Sequence, residues 1–144
     1  METTLVRRQE VLTQVATLQR QLTDFAMNIL EPYSITKVQI SILLELEFSG
    51  ALKVSDLGRN MGMSNSNVSA ICKRLEKDGM VTRIRNLDDQ RVVKIHLTPY
   101  AKDCLSEIQQ TMADQWFNRM ERLSDDEQEI ILGSLKLAID LWAN

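Results

Sequence analysis

Nowhere in these 144 residues is there a run of about 18 uninterrupted apolar side chains, so no membrane-spanning helix is expected. Residues 1–8 are polar and lack the apolar core of a signal peptide, which points to a cytoplasmic protein. Cysteine is scarce: Cys72 and Cys104 make neither a disulfide framework nor a metal pair. The one histidine, His96, has no Cys, His or acidic cluster near it in sequence, which argues against a zinc site. There is no Ser/His/Asp constellation and no phosphate-cradling glycine loop, so neither catalysis nor a cofactor is expected. Internal repeats and low-complexity linkers are missing too. What remains is one ordinary soluble domain, 44% hydrophobic and 26% charged, long enough to bury a real core.

The net charge of −3 taken whole argues against a nucleic-acid binder, but its distribution reverses that argument. Residues 51–102 hold ten basic side chains against five acidic ones, which gives that segment +5 and leaves −8 for the rest. A basic central block between acidic arms is an electrostatic footprint with a direction.

The pattern of the chain is mainly helical. Val11, Val15, Leu18, Leu22, Phe25 and Ile29 step by alternating fours and threes, a heptad-like seam on one long helix that ends near Glu31-Pro32. Thr36 with Gln39 reads as a capping box opening a second helix to about Glu47, stopped by Phe48-Ser-Gly50. A short strand at 51–54 precedes a helix capped by Ser55 and ending near Met61. Gly62-Met63 forms a turn, and Ser64 caps a further helix that stops at Gly79. Two helices around so short a turn make a helix-turn-helix. Val81 to Arg85 and the alternating run Val92 to Leu97 then read as a hairpin with its turn at Asn86 to Gln90. Thr98-Pro99 opens a helix to about Arg122, and Ser124 with Glu127 caps the last one.

On the helix after Ser64, Val68, Ile71, Cys72 and Leu75 share a narrow apolar arc at about 100° per residue. The opposite arc carries Ser66, Ala70, Lys73 and Lys77, flanked by Ser69 and Arg74. Short polar residues let a backbone approach base edges, whereas lysine and arginine suit phosphates or guanine edges. The candidate DNA contacts are therefore Ser64, Asn65, Ser66, Asn67, Ser69, Ala70, Lys73, Arg74 and Lys77, with Arg85 and Arg91 on the hairpin. A solvated polar face is the bland alternative, and the adjoining basic hairpin weighs against it.

Met61-Gly-Met-Ser-Asn-Ser-Asn-Val-Ser69, Leu75-Glu-Lys-Asp-Gly-Met-Val-Thr-Arg83, Asp89-Gln-Arg91 and Leu97-Thr98 together resemble the winged helix-turn-helix of the multiple-antibiotic-resistance regulator (MarR) family. The helix order outside this block matches as well. Asn86-Leu87 stands where the family often has Asp-Pro, Gln90 where it often has a second arginine, and Ala101 where a glycine is common. By position Gln90 joins the candidate contacts. The resemblance implies a mainly α (α+β) fold: a winged helix-turn-helix lobe over 36–102, with dimerisation helices at 1–31 and 103–144. It further implies a homodimer on a pseudo-palindromic double-stranded DNA operator, acting as a repressor released by a small, often aromatic, ligand.

Three sensing modes compete within that reading. Thiol oxidation needs an exposed cysteine; Cys72 falls on the buried arc, and Cys104 is the candidate for exposure. Metal sensing lacks ligands. A hydrophobic effector is favoured by elimination, with Phe25, Tyr33, Trp116 and Phe117 as lining residues, although for each aromatic taken alone core and dimer packing is the stronger account. A winged helix that binds only other proteins is a further alternative, which the +5 block opposes.

Overall fold

The computed structural model describes residues 2–85 and 92–143, with backbone alone at 2–6 and 142. Gln90, Arg91 and the turn that precedes them lie outside the described residues. The elements follow in the expected order: α1 (Glu2–Leu30), α2 (Lys37–Ser49), β1 (Leu52–Lys53), α3 (Val54–Met61), α4 (Asn65–Lys77), β2 (Val81–Arg85), β3 (Val93–Leu97), α5 (Pro99–Met120) and α6 (Asp125–Trp142).

Local chemistry sets most of the boundaries. After α1 a single 3-10 turn, Glu31–Tyr33, holds Pro32, and Ser34 leaves it in the left-handed region at φ 53°. The capping box of α2 is complete: Thr36 Oγ1 accepts from the Gln39 amide at 3.2 Å, and Gln39 Oε1 accepts from the Thr36 amide at 2.8 Å. Ser64 Oγ accepts from the Asn67 amide and opens α4. Gly79, at φ 74°, closes that helix as the Met80 amide turns back to the Leu75 carbonyl at 2.8 Å.

Several boundaries differ from the sequence expectation: α2 runs through Phe48 to Ser49 before Gly50, and β1 is shortened to Leu52–Lys53. Ser55 makes no cap, because β1 feeds directly into α3 at Val54 and Ser55 is already inside the first helical turn. The residue in the capping position, with extended φ and ψ, is Lys53. Helix α5 stops at Met120 rather than Arg122, since the Arg122 and Leu123 amides bond to the carbonyls three residues back and tighten the chain into the Ser124 cap.

The strands form one antiparallel sheet in the order β1-β3-β2, with Arg83 opposite Ile95 and Arg85 opposite Val93. The chain divides into two compact units, Met1–Ile108 and Gln109–Asn144. In the first, Ile42, Leu43 and Leu46 of α2, Leu57 of α3, and Val68 and Leu75 of α4 are buried, as are Val81 and Ile95 of the sheet and Leu105 of α5. Each such fully buried aliphatic side chain stabilises the lobe by roughly 1.5–3 kcal/mol before entropy is counted. Cys72 is wholly buried, as its arc predicts, and Cys104 is buried too, only 7% exposed. The expectation of an exposed Cys104 fails because it shares one face of α5 with the buried Ala101, Leu105 and Ile108. In the second unit α6 keeps Ile130, Leu132, Leu137, Ile139 and Leu141 exposed.

Candidate nucleic-acid interface

Helix α3, the turn at Gly62 and helix α4 form the helix-turn-helix. The approach is closest at Gly58, where a side-chain Cβ would stand 2.9 Å from the Met63 carbonyl and 2.7 Å from Asn65 Oδ1. Only glycine fits there, and any larger residue would push α3 off the turn. Gly58 was not singled out from sequence, although a glycine inside a helical pattern is the signal that marks such a contact. The Asn65 side-chain oxygen lies beside Gly58 of α3, although Asn65 is itself exposed.

Val68, Cys72 and Leu75 anchor α4 to the core, and Ser66, Ala70, Lys73 and Lys77 line its far side as one exposed stripe. Ser64, Asn65, Asn67 and Arg74 are exposed as well, and Ser69 is half-buried. The hydroxyls of Ser64 and Ser66 lie 3.1 Å apart at the helix start, leaving short polar groups and backbone amides on the outside. Arg74 and Lys77 occupy the last turn, where they also complement the helix dipole. Beside α4, Arg85 is exposed at the outer end of β2, and Lys53 and Lys94 are exposed on the neighbouring strands.

Two groups whose bracing contacts the sequence does not reveal hold this surface. Arg83 reaches from β2 to α4, its Nη2 donating to the Ser69 carbonyl at 2.9 Å while its Nε lies 3.5 Å from Glu76 Oε2. Thr98 donates through Oγ1 to the Gly79 carbonyl at 2.7 Å and accepts from the Ala101 amide at 3.1 Å. Its own amide bonds to the Met80 carbonyl at 3.0 Å, so one threonine clasps the end of α4 to the start of α5. From sequence Thr98 reads as a helix cap alone.

The aromatic candidates for an effector site are spread over both units. Phe25 and Tyr33 are half-buried in the first, where the Tyr33 hydroxyl donates to Glu107 Oε2 at 3.4 Å. Burial first, and then the Glu107 carboxylate, push the Tyr33 phenol above its ordinary pKa. Trp116 and Phe117 are exposed in the second unit, at 36% and 64%. An apolar groove of about 500 Å³ runs between α1 and α2, lined by Val15, Leu22, Met27, Leu30 and Ile40 among others, and none of the four aromatics borders it. Among the described residues no cluster of His, Cys, Asp or Glu has metal-binding geometry.

This arrangement has counterparts. Residues 35–93 match the model of the MarR family. An HTH-type transcriptional regulator of Bacillus subtilis, YfiV, is 33% identical over 99 residues, which cover 69% of this chain and 62% of that protein. The chain thus spans somewhat under two thirds of that relative's length. A MarR family protein of Bacillus stearothermophilus superposes with a TM-score of 0.76 at 26% identity, over 100% of this chain and 99% of the other. The fold also matches reduced AbfR bound to DNA, with a TM-score of 0.61 at 21% identity and full coverage of both chains. Helix order, winged sheet, matched segment and end-to-end superposition agree: residues 35–93 are those of a MarR-type segment, and the whole chain folds as a MarR family protein does.

Proposed function

We propose that this chain is a sequence-specific, double-stranded DNA-binding transcriptional regulator. It acts as a homodimeric repressor that a small hydrophobic or aromatic ligand releases from a pseudo-palindromic operator. One observation carries the reading: the outward face of α4, with serine and asparagine at its start and lysine farther along, stands beside a strand that ends in Arg85. In that order the short residues meet base edges in the major groove, and the basic ones meet the flanking phosphates. AbfR, whose fold is alike, is described as bound to DNA, which supports the same use of the lobe. Selection of duplexes from a random pool, followed by binding across a salt series, tests it. Enrichment of a two-fold symmetric sequence bound with a steep salt dependence is the expected result. Weak binding indifferent to sequence would refute it. Release is tested separately by titrating aromatic acids into the selected complex, where dissociation at saturating ligand is expected.

A further inference from the structure

Arg83 counts toward the basic block, yet its guanidinium is spent inside the protein. Its Nη2 donates to the Ser69 carbonyl at 2.9 Å and lies 3.5 Å from Ser69 Oγ. Its Nε, buried and without an aligned acceptor, lies 3.5 Å from the Glu76 carboxylate. Arg83 is 23% exposed and Glu76 43%. One planar group on β2 thus touches α4 at two points seven residues apart, about two helical turns.

We infer that Arg83 and Glu76 are positioning residues for DNA recognition: together they hold the angle between β2 and α4, and so the register of the wing relative to the bases under the helix. The inference rests on the DNA-binding reading above. Arginine suits the task because its rigid fork makes two directed contacts at once, whereas lysine offers a single movable point charge. Glu76 is the informative partner. It stands on α4 among Lys73, Arg74 and Lys77, where an acid repels phosphate. If charge were its whole contribution, neutralising it would tighten binding to every duplex. As a partner that fixes Arg83, it supports specific binding in spite of its sign.

The experiment uses the full-length protein and the duplex that the wild type selects from a random pool, with a scrambled duplex of equal length as reference. Wild type, Glu76→Gln and Arg83→Lys are measured on both duplexes over a salt series, with thermal melting alongside. Glu76→Gln is expected to bind the scrambled duplex at least as tightly as the wild type does. Its ratio of selected to scrambled affinity is expected to fall roughly 3- to 30-fold, the range of coupling changes carried by positioning contacts. Arg83→Lys is expected to keep the salt slope and lose the same ratio. Glu76→Gln lies on a partly exposed surface and is expected to fold normally, checked by its thermal melting, so its result stands even if an Arg83 variant is unstable. Equal strengthening on both duplexes by Glu76→Gln, or an unchanged ratio for Arg83→Lys, overturns the inference and leaves the DNA-binding reading standing. A wild type that selects no duplex overturns that reading and the inference with it.

Discussion

Ser66 and Lys73 stand on one exposed stripe of α4, and under the proposed DNA-binding role their chemistry would divide the work of recognition. A hydroxyl on a short stem reads whatever base edge it meets, while an ammonium on a long stem meets any phosphate. Lys73→Ala is therefore expected to weaken binding to all sequences alike and to lower the salt slope by about one, whereas changes at Ser66 or Asn67 shift the preferred bases. Selection with each variant separates the two. On the wing, Arg91 lies outside the described residues, and its role stays a proposal from the resemblance and from arginine's fit to a narrow minor groove. Arg91→Ala should cost about 1–3 kcal/mol in DNA affinity with almost no change in melting temperature, read by titration and calorimetry. A sharp fall in melting temperature with normal DNA binding would make it a brace instead. The outward side chains of α4 were legible because helical period alone sorts a short segment into faces. Arg83 was not, since its partners are Ser69 and Glu76, fourteen and seven residues back on another element, and no local pattern reports such a pair. Cys72 was legible for the same reason as the stripe. Burial, the dominant cause, raises its thiol above the ordinary pKa against the pull of Arg83, so it stays protonated and slow to react with disulfide reagents until the protein unfolds.

At the scale of elements, capping residues carried the reading. Thr36 with Gln39, Ser64, Thr98-Pro99 and Ser124 with Glu127 all open helices, because a side-chain acceptor beside the first free amides is a local arrangement visible in four residues. Ser55 misled for want of tertiary context: β1 pairs with β3 and hands the chain to α3 two residues early. Thr98 does more than its cap. Removing its hydroxyl frees the Gly79 carbonyl as well as the Ala101 amide, so Thr98→Ala is expected to cost about 1–2 kcal/mol in a denaturant midpoint measurement. It should also loosen the seating of α4, seen as faster hydrogen exchange at Met80. The α6 cap carries a pH signature. The Ser124 amide, and then its hydroxyl, hold the Glu127 carboxyl below the usual glutamate pKa. A depressed folded value means that its support for the helix start is complete above the unfolded pKa and is lost as pH falls through the folded one. Carboxyl NMR should show Glu127 titrating below the other glutamates, and Ser124→Ala should shrink the difference without abolishing it, since the hydroxyl is lost and the amide still donates.

At the scale of the whole molecule, the exposed apolar surface and the charge distribution lead to the same assembly. Val11, Leu12, Val15 and Leu18 of α1 are each about half exposed or more, and α6 exposes leucine and isoleucine on more than one side. A helix apolar around most of its circumference is stable only when covered. The chain's acidic arms carry −8 and its central block +5, so two copies joined through their terminal helices would turn two basic lobes toward one polyanion. Sedimentation at micromolar concentration is expected to show a dimer, and a lysine at Val15 or Leu18 is expected to shift it toward monomer. On the proposed reading, dimerisation would in turn fix the operator. Two rigidly related lobes would engage half-sites about one helical turn apart, roughly 10 bp between centres, with both recognition helices reaching the same side of the duplex. Inserting about 5 bp between the half-sites turns one of them to the opposite side, and only one lobe at a time can then bind. Tight binding should collapse to the level of a single half-site, and inserting about 10 bp should recover part of it if the dimer can stretch. Affinity unchanged by the 5 bp insertion would mean that the lobes move independently and that two-fold symmetry does not set the site.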